Sequence, residues 1–254
     1  MTADADPSVH RHALRRQLEQ ARLGTGASHA RLAAALGWTL PDLLLVAAVA
    51  DGFDDGRLAV LMDHLGVTAP GPVQAPPESP FDQAVRVLVG YEAEADRVSS
   101  FEPFVIPGLL QTRAYAQAVL RFYAPPPKVE ALVDARMARQ EQFAREDGPA
   151  IAFLIDESAL HRGEGATGED AAIRRDQLAH LRAMAAHPRV RIRILPYAAG
   201  VHEGVKGPFV ILESGSPLLY LEDAKGDVIS ADPARIEEHR DRFERLAAQS
   251  SDLV

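Results

Sequence analysis

The chain has 254 residues, is 47% hydrophobic and 25% charged, and carries a formal net charge of −9. That size and apolar content support a small module plus one ordinary domain and exclude a globally disordered chain. Cysteine is absent, which excludes disulfides, thiolate metal sites and a cysteine nucleophile together.

The longest apolar run, Leu43–Ala50, falls far short of the ~20 residues that a membrane-spanning helix needs. Asp4 and Asp6 stand where a secretory signal would be basic, so a cytoplasmic protein without membrane association is expected. Residues 10–68 read as a series of short helices. The first is amphipathic over His12–Arg22, with Leu14 and Leu18 on one face. Ser28 caps Ala30–Leu36, Gly37 ends it, and Thr39 caps the next helix with Pro41 in its first turn and Asp42 completing a capping box. Asp54-Asp55-Gly56 opens Arg57–Leu65. Residues 69–80 hold five prolines and read as a linker.

The second domain, expected over 81–250, mixes both element types. Helices are predicted at Asp82–Ser99, Thr112–Phe122, Lys128–Glu146, Glu169–Ala186 and Pro233–Ala248. Strands are predicted at Ala150–Ile155, Val190–Leu195, Pro208–Glu213, Leu218–Glu222 and, more weakly patterned, Asp227–Ser230. Val190–Leu195 alternates as a strand with one buried face should. The expected fold is therefore a helix-turn-helix-like helical module followed by an α/β (α+β) domain, its mixed sheet covered by helices.

Several motifs carry a resemblance. Leu14-Arg-Arg, Ser28-His-Ala-Arg-Leu-Ala33 and Leu36-Gly-Trp38 resemble the first two helices of the XRE-type, lambda-repressor-like fold. Tyr91-Glu-Ala-Glu-Ala95, Phe101–Thr112, Arg136-Met-Ala-Arg-Gln140, Asp156-Glu-Ser-Ala-Leu160 and Gly207-Pro-Phe209 are similar, in order, to the uncharacterised domain that follows it in antitoxin-like actinobacterial regulators. The resemblance implies a transcriptional regulator, often paired with a small partner protein, and implies no catalytic activity.

The third helix departs from that pattern. Where the family offers Gln, Ser, Lys, Ser and Arg, this chain has Leu40, Pro41, Asp42, Leu44 and Leu45. A recognition helix must present polar side chains to base edges and phosphates, and Asp42 would repel a phosphate. Residues 1–70 hold six arginines (11, 15, 16, 22, 31 and 57) against eight acids (Asp4, Asp6, Glu19, Asp42, Asp51, Asp54, Asp55 and Asp63). That balance opposes the Coulomb attraction supplying most non-specific DNA affinity. Loss of specific DNA binding is expected, with Leu43, Leu44, Val46 and Ala47 buried against the second domain or another subunit.

Nine histidines occur without a His-x-x-x-His pair, so neither a metal nor another cofactor is expected. Gly163–Gly168 lacks the Lys-Ser/Thr ending of a phosphate loop, and no Gly-x-Ser-x-Gly occurs. What remains are polar groups within the motifs. Arg136 and Arg139 share a helix face, with Gln140 one turn from Arg136 and Gln111 in the preceding motif. Such a group suits a carboxylate or phosphate, or an ion-pair network with Glu130, Asp134 or Asp156-Glu157. Asp156 and Glu157 end a strand where ligands often bind, or cap Ser158–Leu160. His202 and Glu222 are the candidate proton-transfer residues. Phe101, Phe209 and Tyr220 are expected to wall the pocket.

Three functions follow from these readings. The first is a regulator-derived protein that binds a small molecule or small partner protein, its N-terminal helices now serving packing or homodimer formation. The second is a repurposed cofactor-free enzyme of a biosynthetic pathway, of isomerase or cyclase type. The third is a DNA-binding regulator.

Overall fold

The computed structural model describes residues 7–47, 54–68, 83–92, 95–143, 148–163, 165, 167–222 and 227–253. The expected linker at 69–80 lies outside them. The chain divides into two compact units, Met1–Tyr91 and Glu92–Val254.

The first unit is helical: α1 (Pro7–Gly24), α2 (His29–Leu36), α3 (Leu40–Ala47), α4 (Asp55–Leu65) and α5 (Gln83–Glu92), whose last residue belongs to the second unit. Its helix ends follow the expected local chemistry. Ser28 accepts from Arg31 N at 3.2 Å, and Gly37 closes α2 at φ 67°, a left-handed turn open to glycine at little cost. Thr39 Oγ1 accepts from Asp42 N at 3.2 Å, as an N-cap does, and donates to Asp42 Oδ2 at 2.7 Å, so the Asp42 carboxylate takes the cap hydroxyl in place of the backbone N–H of a full capping box. α2 and α3 bend by 104° about that turn.

Leu14 and Leu18, Leu32 and Ala33, Leu43 and Val46, and Leu58 and Leu61 meet in one core built from α1 to α4. Each leucine so buried contributes about 1.5–3 kcal/mol. This corrects the expectation that α3 needs a second domain or subunit to cover it, because Leu43 and Val46 bury within their own unit and Ala47 packs beside them. Leu44 and Leu45 are buried too. Arg15 lies 4.1 Å over the Tyr91 ring, whose Oη is 3.4 Å from His29 Nε2, fixing the end of α5 against α1 and α2.

The second unit is built on a seven-stranded mixed sheet: β1 (Arg97–Glu102), β2 (Ala150–Asp156), β3 (Val190–Leu195), β4 (Phe209–Glu213), β5 (Leu218–Leu221), β6 (Val228–Ser230) and β7 (Ser251–Asp252). The spatial order is β6-β5-β4-β1-β2-β3-β7, with β1, β2 and β3 parallel and the remaining pairings antiparallel. The predicted helix Asp82–Ser99 is corrected here. It ends at Glu92, and Arg97–Glu102 is the central strand. Val98 to Glu102 are all buried, with a strand hydrogen-bonded on each side; full burial removes the polar/apolar alternation by which an exposed strand is read.

Four helices accompany the sheet: α6 (Arg113–Tyr123), α7 (Pro126–Phe143), α9 (Gly168–Ala185) and α10 (Pro233–Ala248), with the short α8 (Glu157–His161) after β2. Phe101, Leu154, Leu195, Phe209, Ile211 and Leu219 share one sheet face and pack against Ile236 and Leu246 of α10. The crossovers β1-α6-α7-β2 and β2-α9-β3 step the same way across the sheet. Their common right-handedness puts α6, α7 and α9 on the other face. That face carries Glu102 and Tyr220, by the alternation of the strands. Among the described residues, no single helix is long and apolar enough to cross a membrane.

Candidate functional site

The registers bring most candidate residues to one sheet edge. Parallel β1, β2 and β3 end there with Glu102, Asp156 and Leu195. Antiparallel β4 begins there at Phe209, and β5 leaves there at Leu221, followed by Glu222. This is the carboxyl edge, where open α/β sheets bind ligands. Alternation then divides the candidates between two faces.

His202 and Asp156 lie toward α10. His202 Nε2 is 3.2 Å from Asp156 Oδ2, and Nδ1 accepts from Gly204 N at 3.1 Å. Asp156 Oδ1 accepts from Ser158 N at 2.8 Å, capping α8. Both ring nitrogens are therefore engaged in holding the loop before β4. Phe101 and Phe209 are core residues of this face, with rings 5.7 Å apart. Arg242 stacks 4.7 Å over Phe209 and donates to the carbonyls of Glu203 at 3.1 Å and Gly207 at 2.9 Å. Glu157 accepts from Tyr197 N at 2.6 Å. Each of these residues has a structural duty, and none reaches Glu222.

Toward α7 the arrangement differs. Gln111 and Gln140 clamp the segment after β1. Gln140 Nε2 donates to the carbonyls of Gly108 at 2.7 Å and Gln111 at 2.9 Å, and Gln111 Nε2 donates to Ile106 O at 2.7 Å. Arg139 makes a two-pronged pair with Glu92, Nε to Oε2 at 2.7 Å and Nη2 to Oε1 at 2.5 Å. The partners foreseen for these arginines are taken elsewhere: Glu130 and Asp134 both pair with Arg113.

Arg136 has no such partner. Its Nη1 donates to Gln111 Oε1 at 2.6 Å, while its Nε is buried without an acceptor. Burial, followed by the nearby charge of Arg139, lowers its pKa to about 10. Gly108 packs beside the guanidinium, where an added Cβ would meet Nε at 3.5 Å, an ordinary contact distance.

Two carboxyls share this environment. Glu102 is 8% exposed and accepts from Phe104 N at 3.0 Å. Burial, then the charge of Glu222, raises its pKa to about 8, so it holds its proton at neutral pH. Glu222 makes no hydrogen bond or ion pair among the described residues. Its surface is open to solvent, yet enough protein surrounds the carboxylate for desolvation, then Asp227, to raise its pKa. Tyr220, two residues earlier on the same face, donates its hydroxyl to Asp227. Glu102 was missed in the sequence because its strand was read as helix and loop.

These residues, a buried acid, an exposed carboxylate and an arginine with an unbonded Nε, belong to an α+β domain built on a mixed sheet. The model of a domain-of-unknown-function family, DUF5753, matches residues 85–253, covering most of α5 and nearly all of the second unit. The chain belongs to that family. No curated protein matches it.

Proposed function

We propose that the protein is a small-molecule-binding protein of regulator descent, with its site between α7 and the carboxyl edge at Glu102 and Glu222. The observation that carries this reading is Arg136. A guanidinium taken out of water without an anion costs several kcal/mol, and a fold that keeps one bare gains nothing unless a ligand completes it. Arg136 offers donors, Glu222 an acceptor, and protonated Glu102 one proton, which together select a polar ligand.

Regulator descent is supported by α2 and α3, whose 104° bend lies in the range of helix-turn-helix pairs. Loss of DNA reading is supported by α3 itself. Leu43, Leu44, Leu45 and Val46 are all buried, and Asp42 is held by Thr39 and by Arg57 at 3.1 Å. The helix has no polar face left to enter a groove.

The test is native mass spectrometry of the full chain after incubation with a small-molecule extract of the cells that make it. A discrete added mass on the wild type, absent from Arg136→Gln, supports the reading. Identical spectra for the two proteins contradict it.

A further inference from the structure

Arg113, at the start of α6, pairs with Asp134 and Glu130 of α7, and Gln117, one turn on, meets Glu130. Contacts that advance along α6 retreat along α7, so the two form an antiparallel helical hairpin, with Leu120, Val129 and Val133 packed inside it. Its end is an uncharged run, Phe122-Tyr-Ala-Pro-Pro-Pro127. Phe122 is 89% exposed and Tyr123 75%, the two most exposed aromatic side chains among the described residues. A single exposed apolar side chain is ordinary; adjacent exposed aromatics at a hairpin end point to something that covers them.

Charge and backbone chemistry select what that is. Arg121 and Lys128 bracket the run, and both are exposed. In a chain of 36 acids none falls between Glu102 and Glu130, and the Glu130 carboxylate is taken by Arg113 and Gln117. Salt screens the negative charge of the rest of the chain over about 8 Å, so the cations nearest the end govern its approach to a surface. The end is also poor in free donors. Ala124 N donates to Leu120 O at 3.0 Å and Lys128 N to Pro125 O at 2.9 Å, while the three prolines have no N–H. An apolar medium admits backbone only in that condition.

We infer that this hairpin end docks the protein on an anionic lipid surface, with Phe122 and Tyr123 entering the interface and Arg121 and Lys128 meeting headgroup phosphates. Aromatic rings settle at headgroup depth, and long basic side chains reach from there to the phosphates. Such contact is peripheral and needs no spanning helix. It is independent of the ligand site.

Co-sedimentation of the full chain with vesicles at about 1 mM lipid tests this, comparing equal parts phosphatidylglycerol and phosphatidylcholine with phosphatidylcholine alone. Partitioning should be about tenfold or more stronger on the anionic vesicles, each cation contributing about fivefold, and should weaken as salt is added. Phe122→Ser with Tyr123→Ser should abolish it at an unchanged melting temperature. Arg121→Gln with Lys128→Gln should lower binding on anionic vesicles to the neutral level. No sedimentation of the wild type, equal sedimentation with both vesicle types, or sedimentation that survives either pair of substitutions overturns the proposal. Without vesicle binding, a dimer that the aromatic pair of substitutions dissolves, or a single-stranded oligonucleotide complex that it abolishes, overturns it in favour of that other partner.

Discussion

Arg139 and Glu92 face each other across the second unit in a bidentate pair of 2.7 and 2.5 Å, with the glutamate side chain 1% exposed and the arginine 12%. Burial pulls the guanidinium pKa down, yet the Glu92 carboxylate, by charge and by hydrogen bond, carries the net shift upward. Removing one partner of such a pair leaves an unneutralised charge in the interior and costs about 3–5 kcal/mol. Arg139→Met should therefore lower the melting temperature by about 10 °C or more. An unchanged melt would show that the pair contributes little to the fold.

Glu102 should make stability depend on pH in the alkaline direction. Unfolded, its carboxyl ionises near the ordinary 4.5; folded, it keeps its proton to about 8. Between those values only the folded state holds the proton. Its contribution is full below 4.5 and is lost as pH rises through about 8. The slope is about 1.4 kcal/mol per pH unit within that window. Urea midpoints measured at about pH 6 and about pH 8.5 should fall for the wild type and hold more nearly level for Glu102→Gln. Parallel pH trends in the two proteins would contradict the assignment.

Much of this fold was legible in the sequence. Val190–Leu195 alternates in sequence and is a strand, the strand expected at Leu218–Glu222 forms over Leu218–Leu221, and Ser28, Thr39 and Asp54 each cap the helix expected of them. The central strand was not legible. Arg97-Val-Ser-Ser-Phe-Glu is buried on both faces and follows an apolar helical stretch, so local pattern extends the helix through it. The site was legible in part. Arg136 and Arg139 share a face as their spacing dictates, but only three-dimensional pairing shows that Glu92, 47 residues away, satisfies one and not the other. His202 and Glu222 both flank strands, but His202 pairs with Asp156, whose register puts it on the face opposite Glu222.

The burial of α3 predicts failure at DNA. Titration of the full chain with its own upstream DNA should show no complex whose affinity falls steeply with salt. A specific, salt-sensitive complex would contradict the loss of DNA reading. Leu44, fully buried, should cost about 2–5 kcal/mol as Leu44→Ala, read as a lower urea midpoint of the first unit. A surface-like cost below about 0.5 kcal/mol would place this helix in solvent.

The central claim is that Arg136 is kept for a ligand and not for the fold, and paired melts of Arg136→Met and Arg139→Met test it most directly. Both substitutions remove a largely buried guanidinium from α7, so helix propensity and volume change alike. Arg136→Met gives up one bond to the Gln111 amide and also relieves the unbonded Nε. It should melt no more than about 4 °C below the wild type, or above it, while Arg139→Met falls much further. A loss for Arg136→Met as large as that for Arg139→Met would contradict the account and make Arg136 a structural residue.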